Sequence, residues 1–522
     1  MPPEEKRDDY RVDIDLFTFH EKNAGRLVID PAEAKVEFGE EVASRLKLSR
    51  NGTIVLWPQP SDSPNDPQNW SDFEKTVHLI ITTLAAIVPD FESGIGIATL
   101  FSLVQQYHTT PGVINNLTSN WSIFLLGWGG IVAVMVVRRY GRLPVLFWSQ
   151  VLALGFLIGA TVAPNLKTFA AMRCLTAFFG TTSQVTGLYI VTDMYPFHLQ
   201  AQKLNIWTMG FIISPFISPF ACGFLAAKQN WRWSYSVGCF YSLVVVILIA
   251  LFFRETMYDR AVRPIPEAPA KGLRARIETL VGITGYRMAK YRPSWRKVIW
   301  SPFDVVWRPH ALSMLIFEGA MFGFGIGINV TTVVFLGSPP PIGFDLSALA
   351  VAGMYATPIV SVIIGELTGR FANEWIQNVS IRRTRGIFEA ESRLWACYIA
   401  IPLYICGFLV IGASFQKHLS LGAVIMGWGI AELSIMINTV AIYAYLNDAF
   451  PRHQGEISAL INLARTLGGF AVPYFQVPWA IKRGALQTYG VEAAIVAGLF
   501  LFIVPIVQLK GRELRLHFSV QG

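Results

Sequence analysis

Six ionisable residues stand out inside the long apolar runs of this 522-residue chain: Asp90, Glu92, Arg173, Glu318, Glu432 and Arg465. A charge in an apolar medium loses its hydration, so such residues face a cavity, pair with one another or mark a proton or ion path. A carboxyl group held there can alternate between a proton and a cation, and burial is the means that brings such a group to titrate near working pH. Asp90 follows the helix-kinking Pro89 and reads as a proton or cation site; the plainer reading is a residue drawn toward the headgroups. Glu92, two positions on, lies roughly 200° around the wheel, so the two do not share one face of a regular helix. Glu318 opens a glycine series, Gly319, Gly323, Gly325 and Gly327, on a helix soft enough to bend. Glu432 sits midway along its run. Neither has a basic neighbour in sequence, so any ion pair comes from another helix. As carriers of a proton, Glu318 and Asp90 rank ahead of Glu432, because each lies beside a break in helix geometry. Arg465 reads as a gate residue near one end of its helix, pairing with Asp448 or with the loop after the second run.

These residues need helices to hold them, and the composition says in what solvent. Hydrophobic residues make up 53% of the chain and charged ones only 15%, against roughly a quarter charged in an average soluble protein. The chain divides into twelve apolar stretches, most near the roughly 20 residues needed to span the hydrocarbon. Their cores are Val77–Val104, Ser122–Val137, Val145–Ala163, Phe169–Tyr189, Ile206–Leu225, Tyr235–Phe253, Ala311–Leu336, Leu346–Ile364, Leu394–Phe415, Leu421–Leu446, Ile457–Trp479 and Val491–Leu509. The expected fold class is an all-α membrane protein of twelve transmembrane helices in two pseudo-symmetric six-helix bundles.

With the N-terminus in the cytosol, 35 of the 43 lysines and arginines fall on the cytosolic side, six fall opposite, and Arg173 and Arg465 lie within spans. That is the positive-inside bias expected when both ends face the cytosol. The net charge of +8 therefore points to topology and anionic lipid rather than to nucleic acid. The expected divisions are a cytosolic tail over 1–75, a first bundle over 76–254, a central cytosolic loop over 255–309, a second bundle over 310–510 and a cytosolic tail over 511–522. The halves echo each other. Asp193-Met194-Tyr195-Pro196 ends the fourth stretch and Asp448-Ala449-Phe450-Pro451 the tenth, while Gly210 precedes Pro215 by five positions and Gly468 precedes Pro473 by five. Arg139, Gly141 and Arg142 after the second stretch are matched by Gly369 and Arg370 after the eighth. Such repeats place a substrate site near the midplane, between the halves.

Other chemistry is not signalled. All five cysteines fall in apolar runs, and no disulfide framework or zinc site follows. No Walker loop, dinucleotide fingerprint or Ser-His-Asp set is present, so an enzyme, a cofactor and a metal are not expected. Asn116-Leu117-Thr118 is an acceptor sequon on the outer side, making Asn116 the expected position of any glycan. Of the aromatics, Trp121, Trp128, Tyr189, Trp207, Tyr355, Trp428 and Tyr443 are candidates for a cavity wall, with packing or interface belt as the commoner role.

Five segments together resemble the major facilitator superfamily, within it the fungal branch of twelve-helix drug:proton antiporters and cation transporters. They are Asn65-Asp66-Pro67-Gln68-Asn69-Trp70-Ser71, Tyr140-Gly141-Arg142-Leu143-Pro144, Arg173 with Gly180, Ser214-Pro215-Phe216-Ile217-Ser218-Pro219, and Trp231-Arg232-Trp233. The resemblance implies alternating access, a proton-coupling role for Arg173, a cytosolic gate at Arg139, Gly141 and Arg142, and a kinked antiporter helix at Pro215 and Pro219. Departures accompany it. Arg138 stands where the family's gate has an acid, which leaves Asp193 as the expected countercharge, and Ser214 and Ser218 replace the antiporter motif's glycines, an exchange expected to loosen packing. The expected function is proton-coupled efflux of a small cationic or amphipathic solute, such as a drug or fungal metabolite. Uptake of polyamines or other organic cations is the alternative, and a non-transporting nutrient receptor on the same fold a third. The expected partners are the substrate, protons and the lipid bilayer, in a monomer at the plasma membrane.

Overall fold

The computed structural model describes residues 30–49, 51–259, 272–383, 390–450 and 453–518. Among these the β structure is one antiparallel bridge between Leu48 and Val55, and most of the chain lies in twelve helical rods. In chain order they are α1 (Asp72–Ala98), α2 (Trp121–Tyr140), α3 (Arg142–Thr161), α4 (Leu166–Gly180 continuing as Thr182–Met194), α5 (Phe197–Lys228) and α6 (Trp231–Phe252). The second six are α7 (Pro309–Gly337), α8 (Ala348–Met354 continuing as Ala356–Arg383), α9 (Trp395–Gln416), α10 (Leu421–Ala449), α11 (Gln454–Arg483) and α12 (Ala485–His517). Ten of them are long and apolar enough to cross a membrane. The other two, α4 and α11, carry Arg173 and Arg465 and pack against one another between the bundles.

Every expected apolar stretch falls mainly on helix, and several helices run past the apolar cores. The rod expected over Ile206–Leu225 begins at Phe197, and the one expected to end at Ile364 continues to Arg383. Polar helix formers outside the bilayer extend the hydrogen-bond ladder without needing lipid. The first stretch is divided: α1 ends at Ala98, and Leu100–Tyr107 forms a separate helix. The segment between α6 and α7, read as a polar loop, is largely helical where described, with Leu273–Val281, Ile283–Met288 and Trp295–Val306 lying against the end of the bundle where the chain enters and leaves. We call this the terminal end.

Within the first bundle α1 packs on α4, α5 and α6, and α3 on α4 and α6; within the second α9 packs on α10 and α12, and α7 on α11 and α12. The bundles meet along α2 with α11, α4 with α11 and α5 with α8. Outward faces carry lipid-suited side chains such as Phe240, Leu501 and Phe502, all more than 60% exposed.

Lipid offers no hydrophobic drive for one helix to join another, so close packing has to supply the association. At the α1–α5 crossing, a Cβ on Gly94 would stand 2.9 Å from Ser218 Cβ and Pro219 Cδ. The expectation that Ser214 and Ser218 loosen this helix is therefore corrected: the missing small residue is supplied by Gly94 of the facing helix. The α7–α11 crossing uses the same device, Gly468 lying against the Gly319 carbonyl and Gly323 Cα.

Candidate functional site

Where the kinked helices of the two bundles face each other they enclose a cavity with about 120 Å³ of free space. The first bundle contributes Asp90, Ser93 and Gly94 from α1 and Phe211, Pro215 and Phe216 from α5. The second contributes Phe322 and Asn329 from α7, Glu432 from α10, and Arg465 and Pro473 from α11. The two prolines matched by the internal repeat, Pro215 and Pro473, thus line one space from opposite sides. Pro219 sits one turn further along α5, in the Gly94 crossing.

The ionisable groups on the cavity wall are Asp90, Glu432 and Arg465, and Glu318 stands behind Arg465, outside the wall. Glu318, 1% exposed, accepts hydrogen bonds from Arg465 Nε at 3.0 Å, Thr439 Oγ1 at 2.8 Å and Asn438 Nδ2 at 3.0 Å. Both its oxygens are satisfied. The Arg465 guanidinium lies over the Phe322 and Tyr443 rings at 4.4 and 5.0 Å, and its Nη2 is buried without a hydrogen-bond partner. This corrects the expected partner of Arg465. Eleven residues into α11, roughly 16 Å by rise per residue, it lies too deep to reach Asp448, which pairs with Arg393 at 3.0 Å instead.

Asp90 and Glu432 face the same cavity with neutral donors. Gln184 Nε2 donates to Asp90 Oδ2 at 2.6 Å, and Trp428 Nε1 donates to Glu432 Oε1 at 3.3 Å. With the Arg465 charge met by Glu318, Asp90 and Glu432 are the carboxyl groups on the cavity wall that have no ion pair. Three phenylalanines, Phe211, Phe216 and Phe322, give it an aromatic wall. Of the seven aromatics considered from sequence none is in that wall; Trp428 and Tyr443 act beneath it, on Glu432 and Arg465, and Tyr355 packs on Trp428 at 5.2 Å.

Glu92 and Arg173 lie to one side of this space. Glu92 Oε1 accepts from Ser242 of α6 at 2.9 Å, as its place on the wheel opposite Asp90 requires. Arg173 donates from Nη1 to the Glu92 carbonyl at 2.5 Å and from Nη2 to the Ser93 carbonyl at 3.4 Å, and its guanidinium lies over Tyr235 at 5.6 Å. The carbonyl that Pro89 frees, that of Ala85, accepts from Ser183 at 2.8 Å; Arg173 instead holds backbone one turn further along α1, beside the cavity wall at Ser93, and is itself buried.

At the terminal end Gly141, with φ +106°, makes the turn from α2 to α3. Only a residue without a Cβ takes that conformation readily. Glu255 accepts from the backbone N–H of Arg142 and Leu143 at 2.9 and 3.2 Å, capping α3. Arg142 Nε donates to Asp193 at 3.0 Å, and its guanidinium covers the Tyr189 ring at 4.6 Å. The Arg393–Asp448 pair repeats Arg142–Asp193 in the second half; Gly369 and Arg370, the expected counterparts of Gly141 and Arg142, make no turn, because α8 runs on through both. Arg139 donates to the Pro293 carbonyl at 2.8 Å. Across the bundles, Glu456 of α11 is fully buried and accepts from Tyr189 at 2.9 Å, Ser301 at 2.6 Å and Arg138. At the opposite end, Tyr474 of α11 donates to Asn116, and Trp121 packs on Phe470 at 5.3 Å. Asn116 is half-buried in a turn whose Thr118 is fully buried, so a glycan there would displace the Tyr474 contact.

Among the buried polar residues not singled out from sequence are Gln184, Glu366, Glu456 and Glu492. Glu366 is buried on α8 with both oxygens lacking a hydrogen-bond partner, and Glu492 of α12 accepts from Gln476 at 2.8 Å. Glu366 falls two positions beyond the apolar core assigned to its helix. Glu492 is the second residue of its core and could have been found by scanning every core for acids.

A family model described as "Major Facilitator Superfamily" matches residues 82–473. Among curated proteins, the chain is 23% identical over 511 residues to "Efflux pump radE" of Floropilus chiversii, covering 96% of this chain and 91% of that protein. It is 24% identical over 434 residues to "MFS-type transporter hepF" of Aspergillus oryzae, covering 80% and 86%. Among solved structures, the xylose transporter XylE from E. coli in a partially occluded inward-open conformation superposes with TM-score 0.58 at 13% identity, covering 83% of this chain and 98% of that one. The human organic anion transporter MFSD10 gives TM-score 0.55 at 14% identity, covering 82% and 99%. At those identities the structural likeness speaks for the fold, while the family match takes in well over half of the chain, from within α1 into α11, and includes every cavity-wall residue named above. The chain belongs to the Major Facilitator Superfamily and is a secondary transporter.

Proposed function

We propose that this transporter exports a cationic or amphipathic small molecule in exchange for protons, with Asp90 as the principal site at which proton and substrate compete. The observation that carries this reading is that Asp90 and Glu432 face one cavity from opposite bundles with only neutral hydrogen-bond donors, while Glu318 is engaged by Arg465. A solute with a positive charge and an apolar body would meet carboxyl groups and the walls of Phe211, Phe216 and Phe322. Protonating the carboxyl groups releases it. Arg173 then serves by fixing the α1 backbone beside Asp90, and Arg142, Asp193 and Glu456 by closing the terminal end. Export is favoured over uptake by the relative named an efflux pump. In this reading both termini and the segment between α6 and α7 face the cytosol, as the basic bias supports.

Asp90→Asn keeps the shape and the Gln184 contact but fixes the neutral state. In proteoliposomes, pH-gradient-driven accumulation of an organic cation first shown to bind by thermal shift should fall at least tenfold, while exchange of labelled for unlabelled cation persists. Accumulation at the wild-type level by Asp90→Asn would remove Asp90 from the proposal.

A further inference from the structure

The surface helix Trp295–Val306 has three faces. At roughly 100° per residue, Val298, Ser301, Pro302 and Val305 share one arc, and all four are buried. A second arc holds Ile299, Trp300 and Phe303 with Trp295 at its edge, and these large apolar side chains are exposed, Trp300 to 58%; the exposed Arg296 lies in the same arc at the helix's first turn. Lys297 and Asp304 form a narrow polar strip between the two. An exposed apolar arc of this size on a surface helix needs a non-aqueous neighbour, and a water-facing strip beside it is the pattern of a helix lying in a membrane interface.

The exposed arc is continuous with the lipid-facing surface. Trp307, 59% exposed, leads into α7, whose Leu312 and Ile316 are exposed in turn. The companion helix Leu273–Val281 shows the same design, with Leu273, Ile277 and Val281 exposed at i, i+4 and i+8 beside the exposed Trp148 of α3. Over residues 272–308 the chain has eight lysines and arginines against two acidic residues, Glu278 and Asp304. Arg274 and Arg287 pair with Glu278, and Arg276 and Arg292 are bonded internally. Arg296 and Lys297 are exposed and form no ion pair among the described residues, so their charge is available to an anion. A basic, tryptophan-bearing helix continuous with a lipid-facing wall fits a leaflet with anionic headgroups better than it fits another protein.

The buried arc of this helix reaches the clasp between the bundles. Ser301 Oγ donates to Glu456 at 2.6 Å and accepts from Arg138 Nη1 at 2.6 Å, and Trp295 lies under the Arg139 guanidinium at 5.4 Å. We propose that anionic lipid of the leaflet at the terminal end binds the helix Trp295–Val306, with Arg296 and Lys297 on the headgroups and Trp300 and Phe303 at the acyl boundary, and thereby stabilises the closed clasp at Glu456. Lipid charge then biases which side the transporter opens to, whatever its substrate.

The test uses the full-length protein in nanodiscs of phosphatidylcholine alone or with phosphatidylglycerol, and needs no substrate. Hydrogen–deuterium exchange is followed in the peptide over 295–306 and in the α11 peptide that contains Glu456. Phosphatidylglycerol should slow exchange at least fivefold in both, and the response should vanish in the Arg296→Gln/Lys297→Gln variant, whose exchange in phosphatidylcholine stays at the wild-type level. Equal exchange in the two lipids, or an undiminished response in the variant, overturns the lipid site. Protection of the helix without change at the Glu456 peptide overturns its action on the clasp. Protection found only in discs that hold two copies assigns the face to a second copy and overturns the proposal.

Discussion

Arg465→Ala is expected to abolish transport and to lower the stability of the folded protein by about 3–5 kcal/mol, the range found when one partner of a buried ion pair is removed. Glu318 is buried beside it, and after the change only Asn438 and Thr439 would remain as donors. Part of the loss is also packing, because the guanidinium fills the space between Phe322 and Tyr443. Removing both charges separates stability from function. Arg465→Met combined with Glu318→Leu should recover most of the thermal stability, since apolar replacement of a whole buried pair is often neutral, yet it should remain inactive. Thermal unfolding of the purified variants and flux in proteoliposomes check the two halves. Recovery of transport in the double variant would show the pair to be structural only.

Glu456→Gln should have the next largest effect, on conformational balance rather than on folding. The amide has one acceptor oxygen where Glu456 uses two, so it keeps only one of Tyr189 and Ser301 as a donor, and it loses the charge that Arg138 meets. A hydrogen bond to a charged group contributes about 1.5–3 kcal/mol, so the equilibrium between states closed and open at the terminal end should move roughly tenfold to a hundredfold toward open. Distance distributions between spin labels on the terminal ends of α4 and α11 read this directly. An unchanged distribution in Glu456→Gln would mean that the clasp does not hold that end.

What the sequence made legible, and what it did not, divides along a physical line. The twelve rods were readable because lipid forces long apolar runs into helices. The match between Asp193 and Asp448 was readable because duplication keeps residue type and spacing, and both pair with an arginine at the start of the preceding helix, Arg142 of α3 or Arg393 just before α9. Arg465 was misplaced because the expected span began at Ile457 and hydropathy does not show how deep an arginine sits once α11 starts at Gln454. The Arg138–Glu456 clasp was out of reach for another reason. Its partners stand 318 positions apart and come from different halves, so nothing local marks the pair, and Arg138 read only as a departure from an expected acid. Glu318 and Asp90 drew equal weight from their neighbouring helix breaks, whereas the fold engages one with an arginine and leaves the other facing the cavity beside a glutamine. The difference lies in α4 and α11, not in the residues' own helices.

The most direct test of proton exchange at the cavity acids is flux of a bound organic cation into proteoliposomes under an imposed pH gradient, interior acidic, with the membrane potential clamped. Wild-type protein should accumulate the cation against its concentration gradient and acidify the outer medium as it does so. Equilibration without accumulation, at a rate indifferent to the pH gradient, would contradict the account and make this protein a facilitator.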